Sequence, residues 1–533
     1  MQEIERRASA LWRQASHRLS AALDAIPVGA VTLGVGIIAL TVSNRLPVWL
    51  AIPARDLQMA LVGGGAPAEV AATIGAGVSA ALTLLALLAA YGLLLAAGQS
   101  APPGWLRRAA RWLAIPVLLW SLVASLQSVV ILGRGLVTSA TQQPPAYTAD
   151  ELYYNQYNAR LLLAGANPYT DADVHLSAAM TYFHIRGFTP IARGRFSDPR
   201  HTPTGHEMRA VASEYQAHPL TPPPELDPAT LHSYPAGAFL VDVPSVWLGL
   251  PGMGVAQILL FAALSVALVV YAPPGARLAV GLLVWANPAF AQRVVNGDFD
   301  IWWMAALIGA WLLGERRWLS GALLGVACAI KQTAWFAAPF YVLWVWRRDG
   351  LAEALRRAGI AAAAFLLINL PWLILSPRAW LSSVLLPLSL PLLPDGSGLI
   401  ALAQAGMLPL LPALYTLLEL GVWAAALLWA WRMLQRGRLP TAGLVAGLLP
   451  LLVAWRSPER YFLALSTLAL AALLLSWRPP PPAPPPLCGS AEPHGRVAPL
   501  SPSGGGGVGE GAVLTPADRP PAASRWGGQR RRG

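Results

Sequence analysis

Charge is what this sequence has least of. Only 12% of its 533 residues are charged and 55% are hydrophobic, whereas soluble domains carry about a quarter charged residues. That excludes an ordinary soluble globular protein. Lysine is almost missing: Lys331 is the only one, and the net charge of +12 rests on arginine. The arginines sit in short clusters between apolar runs, as membrane topology requires, so the basic balance is not a nucleic-acid signature. Cysteine is nearly absent too. Cys328 lies in an apolar run and Cys488 in a Pro-rich tail, which excludes a disulfide framework. There is no fixed-period repeat. No cleavable signal peptide is recognisable, because the first 23 residues are polar and Arg-bearing, and the apolar run after them reads as a retained span.

What remains is a succession of apolar runs. They predict an all-α fold, a polytopic transmembrane helical bundle of about 11 to 13 spans with a long outer loop containing surface helices. Arg6, Arg7, Arg13 and Arg18 place the N-terminus in the cytoplasm. Spans read at about 25–43, 72–97 and 113–133, and Arg107, Arg108 and Arg111 keep the second connection inside. The segment 136–235 then lies outside. Its length and composition predict short surface helices and ordered loops. Apolar runs resume at 236–250, 254–271, 277–291, 301–313, 318–330, 334–346, 358–376, 409–431, 441–455 and 461–477. The positive-inside rule puts Asn296 to Asp300, Lys331 and Arg456 to Arg460 outside. Three crossings between 236 and 291 would reverse that side, so either one of those runs is re-entrant or non-spanning, or residues 292–300 lie on the other side. Three regions result: 1–112, a cytoplasmic segment with two extra spans; 113–477, a core with the outer loop; and 478–533, a disordered cytoplasmic tail rich in Pro, Gly and Arg.

The stretch Tyr147 to Tyr169 opens the outer segment. Thr148 and Glu151 have the spacing of a capping box, and Leu152, Tyr153, Tyr157, Leu161 and Leu162 recur at helical spacing. Gly165 is a C-cap candidate and Asn-Pro ends the helix. The expectation is an amphipathic helix at a membrane surface, with Asp150 and Glu151 in its first turn.

Ionisable residues outside the cytoplasmic clusters fall mostly on the outer side: Asp150, Glu151, Arg293, Asp298, Asp300, Lys331, Asp395, Arg456, Glu459 and Arg460. A pocket collecting them would hold carboxylates able to act as bases and cations able to bind an anion. Lys331 sits between two apolar runs, where a charge is costly without a task. An ammonium there suits a phosphate, and the plainer reading is a snorkelling residue at a helix end. Acids in a first helical turn are expected from the macrodipole alone, but Asp150 beside Tyr153 and Tyr154 could deprotonate a hydroxyl. Six histidines lie in the outer segment: His175, His184, His201, His206, His218 and His232. Their spacings match no metal motif, so they read as solvated loop residues. Asp242 and Glu419 read as intramembrane acids, paired within the bundle or serving a proton or ion path. The tryptophans, Trp302, Trp303 and Trp318 among them, fit interfacial belts.

The order of short motifs carries a resemblance. An acidic residue opens a Tyr-rich helix, followed by Gly-Ala-Asn-Pro-Tyr and by Ser-Tyr-Pro before a span. Then come Asn-Gly-Asp-Phe-Asp, Gly-Ala-Leu-Leu-Gly-Val-Ala-Cys-Ala-Ile-Lys-Gln and a late Arg-Ser-Pro-Glu-Arg-Tyr. Over roughly 113–477 this resembles the GT-C class of membrane glycosyltransferases, and is most similar to glycosyltransferase family 87, bacterial mannosyltransferase-like proteins that use polyprenyl-phosphate sugars. The chain departs from the family at Tyr234-Pro235-Ala236, where Tyr-Pro-Pro is common, and in its two additional N-terminal spans. The resemblance implies a cell-membrane, multi-pass enzyme with its active site on the outer face. It implies Asp150, with Glu151 beside it, as the catalytic base, and Lys331 with Arg456 or Arg460 at the donor phosphate. Tyr153, Tyr154, Tyr234, Asn296, Asp298 and Asp300 are the candidate substrate-binding residues. The partners implied are a polyprenyl-phosphate sugar donor and a lipid or glycan acceptor. One base and one phosphate clamp suffice for inverting transfer, so the mechanism asks for no metal or cofactor. The competing class is a transporter or lipid flippase coupled through Asp242 and Glu419, but such proteins place sites at the midplane and often show inverted repeats.

Overall fold

A computed structural model of the chain describes residues 27–60, 66–97, 104–141, 149–174, 177, 192–198, 200–217, 224–226, 232–250, 253–388, 392–408, 410–435 and 442–477. The N-terminal 23 residues and the tail 478–533 lie outside these, as do Thr148, His175, His184 and His218. The architecture is an all-α polytopic bundle. Its one sheet among the described residues is a two-residue parallel ladder, Asp395–Gly396 on Arg456–Ser457.

Seven described helices are long and apolar enough to cross a membrane: Val28–Leu46, Thr73–Ala97, Trp112–Thr141, Gly254–Tyr271, Leu351–Leu375, Pro412–Gln435 and Glu459–Ser476. An eighth crossing results if Pro274–Trp285 and Pro288–Val295, bent by 59°, form one span. That is fewer than the 11 to 13 apolar runs suggest, and the reason is length. Asp300–Leu312 has 13 residues and Arg317–Ile330 has 14. At about 1.5 Å per residue neither matches a hydrocarbon core of about 30 Å. The run at 441–455 breaks into a turn of helix, Gly443–Ala446, and a 3₁₀ turn, Leu449–Leu452.

The run at 236–250 folds as two short pieces, Gly237–Leu240 and Val243–Trp247, joined through a turn at Asp242, and is not among the helices long enough to cross a membrane. If the bent pair Pro274–Trp285 and Pro288–Val295 is one span, two crossings separate the Tyr234 region from Asn296 and the conflict of sides disappears. The Ala149 N–H donates to the Asn296 carbonyl at 3.4 Å, and the Phe299 N–H donates to Glu151 Oε1 at 3.0 Å.

Polar side chains fix the breaks. Asn287 precedes Pro288 and caps the helix after it, accepting from the Phe290 N–H at 3.1 Å. Its amide also donates to the Leu463 carbonyl and Ser466 Oγ, both at 3.0 Å, tying the bend to the C-terminal helix. Ser125 and Ser128 donate to the carbonyls of Leu282 and Trp285, each at 2.6 Å. Such contacts and close small-residue packing replace the hydrophobic drive that lipid cannot supply. Gly321 and Gly325 show the second device. They face the Leu351–Leu375 helix, where a Cβ on Gly325 would collide with the Ala361 carbonyl. Gly350, at φ 90°, makes the sharp turn between the helices Thr333–Asp349 and Leu351–Leu375.

The main core is apolar and includes Trp303, Trp311, Phe340 and Tyr341. Trp303 therefore does not belong to an interfacial belt; it is buried at 1% exposure and its indole N–H donates to Asp300 at 2.6 Å. Trp318 is exposed, with the Arg356 guanidinium 4.8 Å from its ring centre.

The glycine contact gives a test. Gly325→Val should separate the two helices and lower stability by about 1–3 kcal/mol, the usual cost of overpacking. Gly359→Ala, which meets open space, should cost nothing. Thermal unfolding of the purified protein in detergent compares them.

Candidate functional site

Lysine 331 and the helix Asp150–Leu163 define the site. The helix starts at Asp150, after Ala149, and has no side-chain cap. The capping-box reading of Glu151 is thus corrected: its carboxylate turns inward instead of back along its own helix. Nor does the helix lie on a surface. Residues 151–159 are all buried, including Asn155, Gln156 and Asn158. Its C-terminus follows the sequence. Gly165, at φ 81°, donates to the Leu162 carbonyl at 3.0 Å and Ala166 donates to the Leu161 carbonyl at 2.9 Å, a Schellman arrangement.

Lys331 follows the end of the Arg317–Ile330 helix in extended conformation, φ −150° and ψ 140°. The extended residue aims its side chain into the protein. Nζ donates to Glu151 Oε2 at 3.1 Å and to Asp300 Oδ1 at 2.6 Å, and the ammonium is 2% exposed. The Tyr234 hydroxyl donates to Glu151 Oε2 at 2.8 Å. The rings of Tyr234 and Tyr461 lie 5.6 and 5.2 Å from Nζ. Four separate chain segments, at Glu151, Tyr234, Asp300 and Tyr461, thus meet at one ammonium.

The charge states follow from the surroundings. Burial alone would raise the Glu151 carboxyl, but Lys331, Arg460, the Phe299 N–H and the Tyr234 hydroxyl together hold it well below the usual carboxylate range. Burial works against the Lys331 charge as well. Asp300 and Glu151 outweigh it, so the ammonium stays protonated well beyond the usual lysine range. Asp298 differs. Burial, with Asp300 and Glu151 close by, pushes its carboxyl well above the ordinary value. It accepts the Asp300 N–H at 3.3 Å.

A cavity of about 140 Å³ opens beside this cluster. Asp150, Glu151, Tyr154, Tyr234, Lys331, Glu419 and Arg456 line it, so seven of the residues singled out in the sequence converge. Phe336, Val384, Pro387, Leu392 and Leu451 supply an apolar wall. The remaining candidates sit elsewhere. Tyr153 is in the main core. Asp300 and Asp298 are buried, and neither lines the cavity. The Asn296 carbonyl oxygen of the side chain accepts from Gln292 at 2.8 Å. Arg460 is also outside the lining, its guanidinium 6.0 Å from the Tyr461 ring. Arg293 pairs with Glu459.

Arg456 reaches the cavity from the small ladder. It donates to the Leu393 carbonyl at 2.6 Å and lies 3.7 Å from Asp395, which is more than half exposed. This is a looser hold than the one on Lys331, and it leaves Arg456 able to take an anion.

Sequence reasoning missed two residues that shape the walls. Gln332 donates to the carbonyls of Ser233 and Val384 at 2.6 and 2.8 Å. Asn369 accepts from the Ala236 N–H at 2.9 Å and from the Trp380 indole at 3.0 Å. Their signal was an amide inside an apolar setting. His232 also departs from expectation. It is buried against Tyr154, Tyr169 and Phe239, within 2.9 Å of Asn158, and burial pushes its imidazole down to about 3. It is a neutral core residue. Among the described residues no group of three His, Cys, Asp or Glu side chains could hold a metal ion.

A polytopic helical protein with an acid- and arginine-lined cavity among apolar helices is equipped to act on an amphiphile. Residues 232–476 match the model of glycosyltransferase family 87, which supports a membrane glycosyltransferase similar to the GT-C class. The matched stretch contains Tyr234, Lys331 and Arg456 and begins after the Asp150 helix. The comparisons with curated proteins and with solved structures found no match.

The Lys331 cluster makes a pH-dependent prediction. Glu151 is depressed from its ordinary 4.5, so the pairing stabilises fully above that value and is lost as pH falls through the lower folded value. The raised Lys331, ordinarily 10.5, keeps it until pH rises through its own folded value. Lys331→Met should therefore cost about 3–5 kcal/mol at neutral pH. In the variant the stranded carboxylates take up protons, so the deficit should shrink towards pH 5. Adding Asp300→Asn should restore part of it. Unfolding curves across pH check this, and a pH-independent deficit would contradict it.

Proposed function

We propose that this membrane glycosyltransferase moves a hexose, mannose in the first instance, from a polyprenyl-phosphate donor to a lipid or glycan acceptor at the outer face of the membrane, with inversion. The observation that carries the reading is the shared lining of one cavity. Asp150 and Arg456 stand in it together with an apolar wall. A base, an anion-binding guanidinium and a greasy surface are what such a reaction needs.

In this reading the lipid tail leaves along the apolar wall, and the phosphate meets Arg456. Asp150 takes the proton from the acceptor hydroxyl. The acceptor oxygen forms a bond to the anomeric carbon as the bond from that carbon to the phosphate oxygen breaks, and the electron pair leaves with the phosphate. Displacement from the opposite face inverts the carbon. Arg456 stabilises the negative charge that grows on the leaving phosphate. A cavity lined by packed helices excludes bulk water and protects the activated sugar from hydrolysis.

Lys331 has two tasks. Two of its three N–H donors hold Glu151 and Asp300, which anchors Glu151, and through the same first turn Asp150, against the Asp300 helix. The third is left for the donor phosphate, since Lys331 also lines the cavity. The outer-face placement draws on the arginine distribution, which keeps the connections at 98–112 and 432–438 in the cytoplasm.

Asp150→Asn should lower transfer by about 10²–10⁴-fold, the range for loss of a general base, while donor binding persists. The assay incubates purified protein with labelled polyprenyl-phosphate sugars and membrane extract and identifies the product. Undiminished turnover in this variant would remove Asp150 from the mechanism.

A further inference from the structure

The cavity wall opposite in chemistry to Arg456 holds a carboxylate that the reaction above does not use. Glu419 and Thr416 both line the cavity. They lie three residues apart on the helix Pro412–Gln435, hence on one face. Among the described residues Glu419 has no ion pair, in a helix apolar enough to cross a membrane. An acid in such a segment marks a functional site by default, because desolvating it without return is costly.

Its position is fixed from both sides. Four residues earlier, Tyr415 packs edge-on against Trp455, ring centres 5.5 Å apart, and Trp455 is itself a cavity residue. Four residues later, the Trp423 indole donates to the Phe336 carbonyl at 3.1 Å, and Phe336 also lines the cavity. Positions separated by four share a helix face. Glu419 is therefore held towards the cavity by an aromatic anchor on each side.

We infer that Glu419, with Thr416, forms a hydroxyl-binding subsite that recognises an uncharged sugar ring. A carboxylate repels phosphate, so this part of the cavity does not suit the anion that Arg456 takes. The Glu419 oxygens do accept hydrogen bonds from adjacent hydroxyls. Thr416 adds a hydroxyl that donates or accepts. The cavity is then divided: anion at Arg456, apolar chain along Phe336 and Leu451, hydroxyl-rich ring at Glu419. This rests on the glycosyltransferase reading and adds the residue that selects the sugar.

The test uses the full chain in nanodiscs and measures binding of butyl mannoside, butyl glucoside, butyl galactoside and butyl phosphate by calorimetry. Wild type should bind at least one hexoside. Glu419→Leu should weaken that hexoside by about 10- to 100-fold, the equivalent of one or two hydrogen bonds, and leave butyl phosphate unchanged. Thr416→Val should weaken it less. Because Glu419→Leu removes an unpaired acid from an apolar helix, it should unfold at the same or higher temperature than wild type. The subsite is overturned if no hexoside binds, if Glu419→Leu binds hexoside as wild type does, or if it loses phosphate equally. Transfer assays with the same samples separate the two ideas. Glu419-dependent hexoside binding without transfer from any polyprenyl-phosphate sugar removes the donor assignment alone. Transfer with unaltered hexoside binding in Glu419→Leu removes the subsite alone.

Discussion

A single ammonium buried among carboxylates constrains this end of the bundle. Lys331 touches Glu151, 180 residues away in the chain, and Asp300, 31 residues away. Nothing else in the sequence could take its place cheaply, since it is the only lysine. Arginine would present a wider, planar fork, and a compact point charge fits between two carboxylates and two tyrosine rings. The cluster makes the Asp150 helix, the start of the Asp300 helix and the turn after Ile330 mutually dependent. A buried pair of this kind does not guarantee net stability. What it imposes is a demand that all three segments arrive together, because each partner left alone is a buried charge.

The irregular helices make sense around that demand. Full spans pack side by side and leave no hollow. Here the helices nearest the site are short or broken: Gly237–Leu240, Asp300–Leu312, Arg317–Ile330 and the turns at 443–452. Non-helical backbone at membrane depth needs internal partners. Gln332 and Asn369 supply them, one holding the Ser233 and Val384 carbonyls and the other the Ala236 N–H. The polar residues that look misplaced in apolar runs are therefore the fasteners that keep a cavity open without leaving backbone groups unsatisfied.

Much of this was legible before the structure, and the physical reason differs by feature. The all-α membrane class follows from composition alone, since few charges and long apolar runs leave no other fold. Gly165 was readable because a helix end needs one positive-φ residue, and glycine supplies it locally. The span count was not readable from hydropathy, because a 13-residue helix in a protein core and half a span have the same composition. Glu151 was misread because capping boxes are a local rule and tertiary pairing overrode it. The same motif was overlooked at Thr204 and Glu207, where the Thr204 N–H donates to Glu207 at 2.7 Å and the Glu207 N–H donates back to Thr204 Oγ at 3.2 Å. That pair is on a surface with no buried lysine competing for the acid. The convergence of Asp150, Lys331 and Arg456 on one hollow needed three-dimensional contacts, although the arginines around them lead to the expectation that they share one side of the membrane.

Two adjacent acids thus come to have different surroundings by geometry alone. Asp150 and Glu151 are neighbours in one helical turn, and consecutive residues on a helix point about 100° apart. Glu151 is turned into the Lys331 cluster, where the Phe299 N–H, the Tyr234 hydroxyl and the ammonium occupy its oxygens. An acid so stabilised as an anion is a poor base, because it gives up those contacts when it takes a proton. Asp150 also lines the cavity. In the proposed mechanism the arrangement separates the acid that holds the site together from the acid that takes the proton, with residues one position apart.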